Sequence, residues 1–266
     1  MESAVEGVLG PGLSYLRAGE GQALVMATGL SPEHKHPTGW WRRSYLKAVA
    51  PLAQHFTVYL VNRRPGLASG VTMTDIAADY ADAIRGDLQE PVLLHGISTG
   101  AAVALQLAMN HPDLVARLVL APGACRLSPK GRQAQADLAR HSRAGNNRAA
   151  WAAVMGLLAP KPALTAPTSG MGWLAGPLIA ASDPADLLAT VAAEDAFDAE
   201  PRLGEVTAPT LVLGGTDDPF YSEDLFRRTA AGVPDGRLHL FPGKGHMYVA
   251  THPLPMAISL GFFLTP

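Results

Sequence analysis

A serine stands between two glycines at the point where an apolar run meets an alanine-rich segment. The motif Gly96-Ile97-Ser98-Thr99-Gly100 follows Pro-Val-Leu-Leu-His at 91–95 and leads directly into residues that favour a helix. A G-x-S-x-G sequence between a strand and a helix is typical of a tight turn that exposes a nucleophilic serine. Glycine is needed at the outer positions because side chains there would collide, and the start of the helix favours the negative charge that develops during acyl transfer. The sequence therefore predicts Ser98 as a nucleophile.

A base and a carboxylate occur further along the chain, each just after another apolar run. Asp217 and Asp218 follow the run at 210–214, and His246 follows the run at 237–241. A serine hydroxyl is a weak nucleophile unless a base takes its proton, and a carboxylate must orient that base. If the runs are parallel strands, their carboxyl ends lie at one edge of a sheet and bring these groups towards the serine. The order serine, aspartate, histidine also distinguishes this set from two familiar protease triads.

The elements that must position these groups alternate along the chain. Helical spacing predicts a helix at 74–87, with Thr74 as its N-cap, and another at 99–110. Short apolar runs predict six strands, at 23–27, 57–61, 91–95, 115–121, 210–214 and 237–241. Largely apolar strands with helices between them indicate an α/β fold with a mostly parallel central sheet and helices on both faces.

The alternation stops in the region between residues 126 and 200. This region contains an uncharged segment, 162–182, whose prolines and glycines predict that it forms no helix and does not cross a membrane. Helix-forming stretches flank that segment, at 130–143, 148–158 and 184–199.

An insertion of helices between two strands of one sheet favours a helical cap over the carboxyl edge of that sheet. The alternative is that these helices are ordinary crossover helices, only longer. The predicted organisation is a core domain of residues 1–125 and 201–266 with a cap of residues 126–200.

Composition and charge exclude several classes of partner and site. The chain has 266 residues, of which 48% are hydrophobic and 17% charged, and its formal net charge is −2, so neither nucleic acid nor an anionic membrane is an expected partner. Cys125 is the single cysteine, which excludes an internal disulfide and a Cys-rich zinc site.

His34 and His36 lack an accompanying set of acidic or cysteine ligands, so we interpret them as loop residues. The N-terminal residues lack the features of a signal peptide, which predicts a cytoplasmic protein.

The motifs taken together resemble those of the α/β-hydrolase fold family over essentially the whole chain. The segment from Asp75 through the serine motif to His111-Pro112 is similar to the central portion of that family. Ala-Pro-Thr-Leu-Val-Leu-Gly-Gly at 208–215 and Gly245-His246 resemble its C-terminal portion.

The resemblance implies Ser98 as nucleophile, His246 as base and Asp218 as the acid that orients the base. In the family the acid lies three residues after a glycine that ends its strand, and Gly215 is that glycine here. Pro219 fits this choice because it restricts the preceding residue to extended backbone angles. The aspartate before Asp218 would then point elsewhere.

The chain also departs from the family pattern near the expected oxyanion hole. The usual His-Gly after the preceding strand is Thr28-Gly29, and the usual Asp-x-Arg-Gly-x-Gly-x-Ser turn is Asn-Arg-Arg-Pro-Gly-Leu-Ala-Ser at 62–69. Backbone N–H groups form such a hole, so loss of the histidine side chain does not remove it. By analogy with the family, the donors are the N–H groups of Leu30, alternatively Gly29, and of Thr99.

The expected function is hydrolysis of a small apolar carboxylic ester or lactone, with no metal and no cofactor. The family also contains carbon–carbon bond hydrolases, perhydrolases and acyltransferases, so these remain alternatives, as does a protein of this fold that binds a small ligand without turnover. The sequence leaves the oligomeric state open. One group of apolar residues either packs the cap or lines a pocket above the serine: Trp40, Trp41, Trp151, Met155, Leu157, Leu158, Met171 and Trp173.

Overall fold

A central sheet of eight strands runs through the part of the chain that the structure, a computed structural model, describes: residues 4–88, 90–159 and 162–265. The order across the sheet is β1-β2-β4-β3-β5-β6-β7-β8. The first two strands are antiparallel to their neighbours, and all other pairs are parallel. The strands are β1 (Val5–Leu9), β2 (Leu13–Ala18), β3 (Ala23–Ala27), β4 (Thr57–Val61), β5 (Val92–Gly96), β6 (Val115–Leu120), β7 (Thr210–Gly215) and β8 (Gly236–Phe241).

Helices connect the strands. Short 3₁₀ helices cover Leu52–Gln54, Pro112–Leu114, Pro162–Leu164 and Glu200–Glu205, and a π-helix covers Ile84–Leu88. The α-helices are α1 (Gly39–Val49), α2 (Met73–Ala83), α3 (Thr99–Asn110), α4 (Pro129–Arg143), α5 (Asn147–Leu157), α6 (Thr165–Ile179), α7 (Ala185–Asp195), α8 (Glu223–Gly232), α9 (His246–Thr251) and α10 (Pro253–Leu264).

The sheet is buried on both faces, which explains why its central strands are continuous apolar runs. Along β3, Leu24 and Met26 point into a core cluster shared with α1, α9 and α10. Val25 and Ala27 point into the opposite cluster, to which α2, α3, α4, α7 and α8 contribute. Successive strand residues face opposite sides of a sheet, so both sides need an apolar partner. The predicted α/β fold class is confirmed.

All six predicted strands are present, and their ends agree with the prediction to within one residue. The hairpin of β1 and β2, in which Leu9 pairs with Leu13 across a turn at residues 10–12, was not predicted. Most residues of β1 are exposed, and the buried residues of β2, Leu13 and Leu16, are three apart. Neither strand therefore forms an apolar run or a clean alternation in the sequence.

The predicted N-cap of α2 was wrong. Thr72, not Thr74, caps this helix: its side chain accepts a hydrogen bond from the Asp75 N–H, and the Asp75 carboxylate accepts one from the Thr72 N–H. This reciprocal capping box satisfies two N–H groups that otherwise lack partners at a helix start. Thr74 lies one residue inside the helix.

The prediction that residues 162–182 form no helix was also wrong, because α6 covers most of that segment. Pro167 lies in the first turn, where its missing N–H costs nothing. Pro177 leaves the carbonyl of Trp173 without an intrahelical donor, and Arg148 of α5 donates to that carbonyl at 3.2 Å. Gly172 allows the backbone of α6 to approach α5 closely, since a Cβ there would lie 2.5 Å from the Trp151 carbonyl oxygen.

Helices α4 to α7 all lie between β6 and β7 in the chain, where the cap was predicted. Helix α5 packs along α6, and α4 packs against both α5 and α7. Residues 160 and 161 of the predicted cap lie outside the described residues. In the part of the chain that is described, no helix combines the length and the apolar character needed to span a bilayer.

His95, on β5 just before the serine motif, gives the fold a testable pH dependence. It is buried, with Nε2 3.3 Å from Ser259 Oγ, and burial lowers its pKa to about 4. The unfolded chain takes up this proton near pH 6.5, while the native chain does so only near pH 4. Stability from a neutral His95 is therefore complete above pH 6.5 and lost as the pH falls towards 4, with a slope of up to about 1.4 kcal/mol per pH unit.

We expect the free energy of unfolding, measured with denaturant between pH 4 and 7, to depend less on pH in a His95→Asn variant than in the wild type. The difference in slope should reach up to about 1.4 kcal/mol per pH unit. The change His239→Asn, at an exposed position of β8, controls for loss of an imidazole as such. Equal slopes for His95→Asn and the wild type would contradict a neutral, buried His95.

Candidate active site

The turn after β5 holds Ser98 in an unusual backbone conformation. Its φ is 53° and its ψ is −122°, a region that L-residues rarely adopt. A Cβ at Gly96 would lie 2.5 Å from Ala101 Cα, and one at Gly100 would lie 2.1 Å from the Ala27 carbonyl oxygen. Both positions therefore require glycine, and the close packing of α3 on β3 and β5 fixes the turn that presents the Ser98 side chain.

The structure brings the predicted base and acid to this serine. His246, the first residue of α9, has Nε2 3.0 Å from Ser98 Oγ. Its Nδ1 lies 2.9 Å from Asp218 Oδ2. Asp218 and His246 are both buried, while Ser98 is partly exposed. The three side chains thus form a continuous chain of hydrogen-bonding contacts that ends at an accessible hydroxyl.

The two adjacent aspartates have different surroundings. One oxygen of Asp218 contacts the imidazole, and the other accepts hydrogen bonds from the backbone N–H groups of Phe220 (2.8 Å) and Tyr221 (3.4 Å). Asp217 is exposed, and its carboxylate accepts a hydrogen bond from the Thr216 hydroxyl at 3.3 Å. Only Asp218 therefore contacts the imidazole of His246.

Two backbone N–H groups beside the serine are available as donors. Thr99 follows Ser98 as the first residue of α3, and its N–H donates to none of the described residues. The same holds for the N–H of Leu30, in the loop after β3. This loop lies against the serine, since a methyl group at Gly29 would be 3.4 Å from Ser98 Cβ. The loop and the helix start therefore both lie next to Ser98.

A buried carboxylate that the sequence analysis did not identify lies next to Thr99. Glu194 of α7 accepts hydrogen bonds from Thr99 Oγ1 (2.8 Å), Gln135 Nε2 (2.8 Å) and the Tyr221 hydroxyl (3.2 Å). Burial raises its pKa, although these three hydrogen bonds and the charge of Arg63 act in the opposite direction. Glu194 thus links α4, α7, the start of α3 and the turn that carries the acid.

Tyr221 connects this carboxylate to the imidazole. Its ring stacks on that of His246, with centroids 5.8 Å apart and planes at 24°. Burial, together with the charges of Glu194 and Asp218, raises the pKa of the Tyr221 phenol well above its usual value. The phenol therefore stays protonated and acts as a hydrogen-bond donor to Glu194.

Helix α7 presents two further polar residues to the loops around the serine. Asp186 accepts from the N–H groups of Gly66 (3.0 Å) and Leu67 (2.7 Å), and Thr190 Oγ1 lies 3.3 Å from His34 Nε2. Residues 186, 190 and 194 are four apart, so they lie on one face of the helix. This polar face fixes α7 to the loop after β3 and to the loop after β4.

His34 and His36 differ in their surroundings. His34 is buried, and burial together with the positive charge of Arg63 lowers its pKa to about 4. His36 is partly exposed and lies 2.9 Å from the carboxylate of Glu6. Within the described ranges, no group of three or more His, Cys, Asp or Glu side chains is arranged to hold a metal ion.

The other candidate residues have varied surroundings. Cys125 is buried, and burial raises the pKa of its thiol, which is the behaviour of a small core residue. Trp151 belongs to the main core cluster. Trp40 and Trp41 contact each other and are each 63% exposed, and Trp173 lies under the guanidinium of Arg148.

A cavity of about 390 Å³ lies on the other side of α7. Ala192, Ala193 and Ala196 of that helix line it, together with residues of α2 and α3. None of the residues that contact the serine, the imidazole or the carboxylate lines this cavity. It is therefore separate from the candidate active site.

Comparison with known proteins agrees with this architecture. The model of the alpha/beta hydrolase family matches residues 24–257. A protein of Variovorax paradoxus (strain S110) that carries the name of a carbamate hydrolase, RutD, is 27% identical over 92% of each chain. The 2-hydroxy-6-oxo-6-phenylhexa-2,4-dienoate hydrolase of Comamonas testosteroni is 27% identical over 88% of this chain and 84% of its own.

A solved structure shares the fold over nearly its whole length. It is an alpha/beta hydrolase enzyme from a Medee basin deep-sea metagenome library, with a TM-score of 0.82, 18% identity and coverage of 96% of this chain and 94% of its own. The matched family model covers most of the chain, including the serine turn and the loops that carry Asp218 and His246. The chain therefore belongs to the alpha/beta hydrolase family.

Proposed function

We propose that the protein is a serine hydrolase that cleaves a small carboxylic ester or lactone through an acyl-enzyme intermediate. The observation that carries this proposal is the continuous contact from Asp218 through His246 to the Ser98 hydroxyl. In such an arrangement the imidazole removes the serine proton while Oγ attacks the acyl carbon, and it returns that proton to the leaving oxygen. A water molecule, activated by the same imidazole, then hydrolyses the acyl-enzyme.

Three further groups have defined roles in this proposal. The N–H groups of Leu30 and Thr99 stabilise the negative charge that develops on the acyl oxygen, which is commonly the largest electrostatic contribution in acyl transfer. Asp218 keeps His246 in the tautomer that presents an unprotonated Nε2 to Ser98. These steps need no metal and no cofactor.

An apolar substrate is supported by the side chains next to these groups. The Phe220 ring packs on the ring of His246 with centroids 4.8 Å apart. Leu30, whose N–H is a proposed donor, has an apolar side chain, and so does Ile97, which precedes the nucleophile. In the same proposal α4 to α7 act as a cap, because α7 reaches Thr99 and the loop after β3. The single cysteine is compatible with the cytoplasmic location that the sequence predicts.

A second candidate is hydrolysis of a carbon–carbon bond. It is favoured by the similarity to the dienoate hydrolase of Comamonas testosteroni over most of both chains. The two candidates are separated by measuring turnover of a p-nitrophenyl ester series and of 2-hydroxy-6-oxo-6-phenylhexa-2,4-dienoate. We expect kcat/KM to be higher for the esters than for the dienoate. A higher kcat/KM for the dienoate would contradict our proposal and support the second candidate.

The change Ser98→Ala tests the nucleophile. We expect the variant to keep the fold and to lose ester turnover by several powers of ten, because loss of the attacking oxygen removes the covalent route. Circular dichroism and thermal unfolding check the fold. Ester hydrolysis that persists in the folded variant at the wild-type rate would contradict a serine mechanism.

The two aspartates form a matched pair for testing the acid. Asp218→Asn should lower kcat by about 10⁴, the scale seen when the acid of a serine triad becomes an amide and the imidazole takes the wrong tautomer. Asp217→Asn should lower kcat by well under tenfold, since that carboxylate is exposed and accepts from the Thr216 hydroxyl and not from His246. The assignment would be wrong if the large loss followed Asp217→Asn and the small one Asp218→Asn in the same ester assay.

A further inference from the structure

Arg63, in the loop after β4, is a fully buried cation next to the candidate active site. Its side chain is inaccessible to solvent, and no carboxylate among the described residues lies within ion-pair distance of it. Burying a charged group without a close partner of opposite charge is costly unless hydrogen bonds replace its hydration. The guanidinium therefore requires several hydrogen-bond acceptors, and the position of those acceptors indicates the role of Arg63.

The acceptors all lie in one short segment, residues 28–34, which contains Leu30. Nη1 donates to the Thr28 carbonyl at 3.1 Å, and Nη2 donates to the Gly29 carbonyl at 3.0 Å. Nη2 also lies 3.3 Å from Ser31 Oγ, and Nε donates to His34 Nε2 at 3.2 Å. The rigid planar fork of an arginine thus holds four points of the loop at once.

These contacts determine the direction of the Leu30 N–H. In a trans peptide the carbonyl and the following N–H are coplanar and point in opposite directions. When Arg63 holds the Gly29 carbonyl, the N–H of Leu30 must point away from the guanidinium. Gly29 itself abuts Ser98, so this peptide lies at the nucleophile.

The charge of Arg63 is balanced at longer range by helix α7. Burial lowers the pKa of Arg63, and the carboxylates of Glu194 and Asp186, both on the polar face of α7, oppose that shift. His34 accepts from Nε and must be neutral to do so, and Thr190 lies beside the same ring nitrogen. Residues 28–34 thus fix the position of the cation, and the carboxylates of α7 balance its charge.

We propose that Arg63 is a positioning residue of the oxyanion hole. Through the Thr28 and Gly29 carbonyls it fixes the Gly29–Leu30 peptide with its N–H towards the reacting centre, and it keeps a positive charge one peptide behind the developing oxyanion. A hydrogen bond accepted by the carbonyl also polarises the peptide and strengthens its N–H as a donor. This inference rests on the proposed function of Ser98.

The expected effect is confined to the transition state. A ground-state ester places little negative charge on its carbonyl oxygen, while the tetrahedral intermediate carries a full charge there. Loss of a correctly directed donor should therefore lower kcat and leave KM nearly unchanged.

The test uses Arg63→Met and Arg63→Lys, with Arg64→Met as the matched control. Arg64 is the neighbouring arginine, and its side chain pairs with Asp79 at 2.8 Å. Its only contact with the loop after β3 among the described residues is from its backbone carbonyl to His34 Nδ1 (2.9 Å), which the substitution leaves in place. Each variant is titrated with a fluorophosphonate to count folded, reactive sites. We then measure kcat and KM with one ester. With the same ester we measure the inhibition constant of an aryl trifluoromethyl ketone, which forms a tetrahedral oxyanion on serine.

We expect Arg63→Met to lower kcat per titrated site about 10²-fold, which is the effect of losing one oxyanion donor. The variant should weaken binding of the ketone by a similar factor. Arg63→Lys should lower kcat per titrated site about tenfold or more, because one ammonium group cannot donate to both carbonyls and to His34 at once. Arg64→Met should resemble the wild type. A merely structural role would reduce the titrated fraction and leave kcat per site and ketone affinity unchanged.

Two outcomes overturn the inference. One is a kcat per site within about threefold of the wild type in either folded Arg63 variant, and the other is a loss that appears only in KM. If Arg63→Met does not fold, the lysine variant decides alone, since it keeps the charge. Failure of the underlying function has a different signature, because the wild type itself would then turn over no ester in a Ser98-dependent way.

Discussion

The backbone at Ser98 is the constraint on which the rest of the structure depends. A non-glycine residue at φ 53° and ψ −122° costs on the order of 1–3 kcal/mol, and it persists only where its surroundings over-determine it. Here β5 and α3 approach so closely that Gly96 and Gly100 admit no side chain. The apolar burial of both faces of the sheet stabilises that approach. The other groups of the site all lie around this one turn.

The groups that reach it come from loops at the carboxyl edge of the sheet. His246 starts α9 after β8, Asp218 follows β7, and the loop after β3 lies against the serine. A parallel sheet places these loop positions side by side although they are far apart in the chain. This is why residues separated by more than a hundred positions meet within hydrogen-bonding distance.

Buried charge connects this edge to the helices between β6 and β7. Arg63 is buried against the loop after β3, Glu194 of α7 is buried against the start of α3, and the same face of α7 carries Asp186, which is partly exposed. Such charges are tolerated because each has several hydrogen-bond partners, and removal of one partner would leave another charge uncompensated. Helix α7 is thereby anchored to the core, whereas α6 contacts chiefly α5 and leaves Leu174 and Leu178 exposed.

The sequence was sufficient to predict six of the eight strands and the turn at the serine motif, because these depend on local patterns, whereas β1 and β2 lack such a pattern and were missed. The resemblance to the family implied Asp218 as the aspartate near His246, three residues after Gly215, and in the structure Asp218 contacts that imidazole. The charge network was not predicted, since the partners of Arg63 and Glu194 are distant in sequence and only their burial distinguishes them from surface residues. One signal was present: Asp186, Thr190 and Glu194 recur every four residues in a helix whose other residues before Asp195 are all apolar. The error at α6 has a similar origin, because the Arg148 contact that compensates Pro177 is a tertiary one.

Covalent labelling tests the central claim, that Ser98 is activated as a nucleophile by His246 and Asp218. The purified protein is incubated with a fluorophosphonate, and the intact mass and the modified peptide are then determined by mass spectrometry. The account predicts one adduct per chain, located on Ser98, and much slower labelling of Asp218→Asn than of Asp217→Asn. An adduct on another residue, or no adduct on a folded wild-type chain, would contradict it.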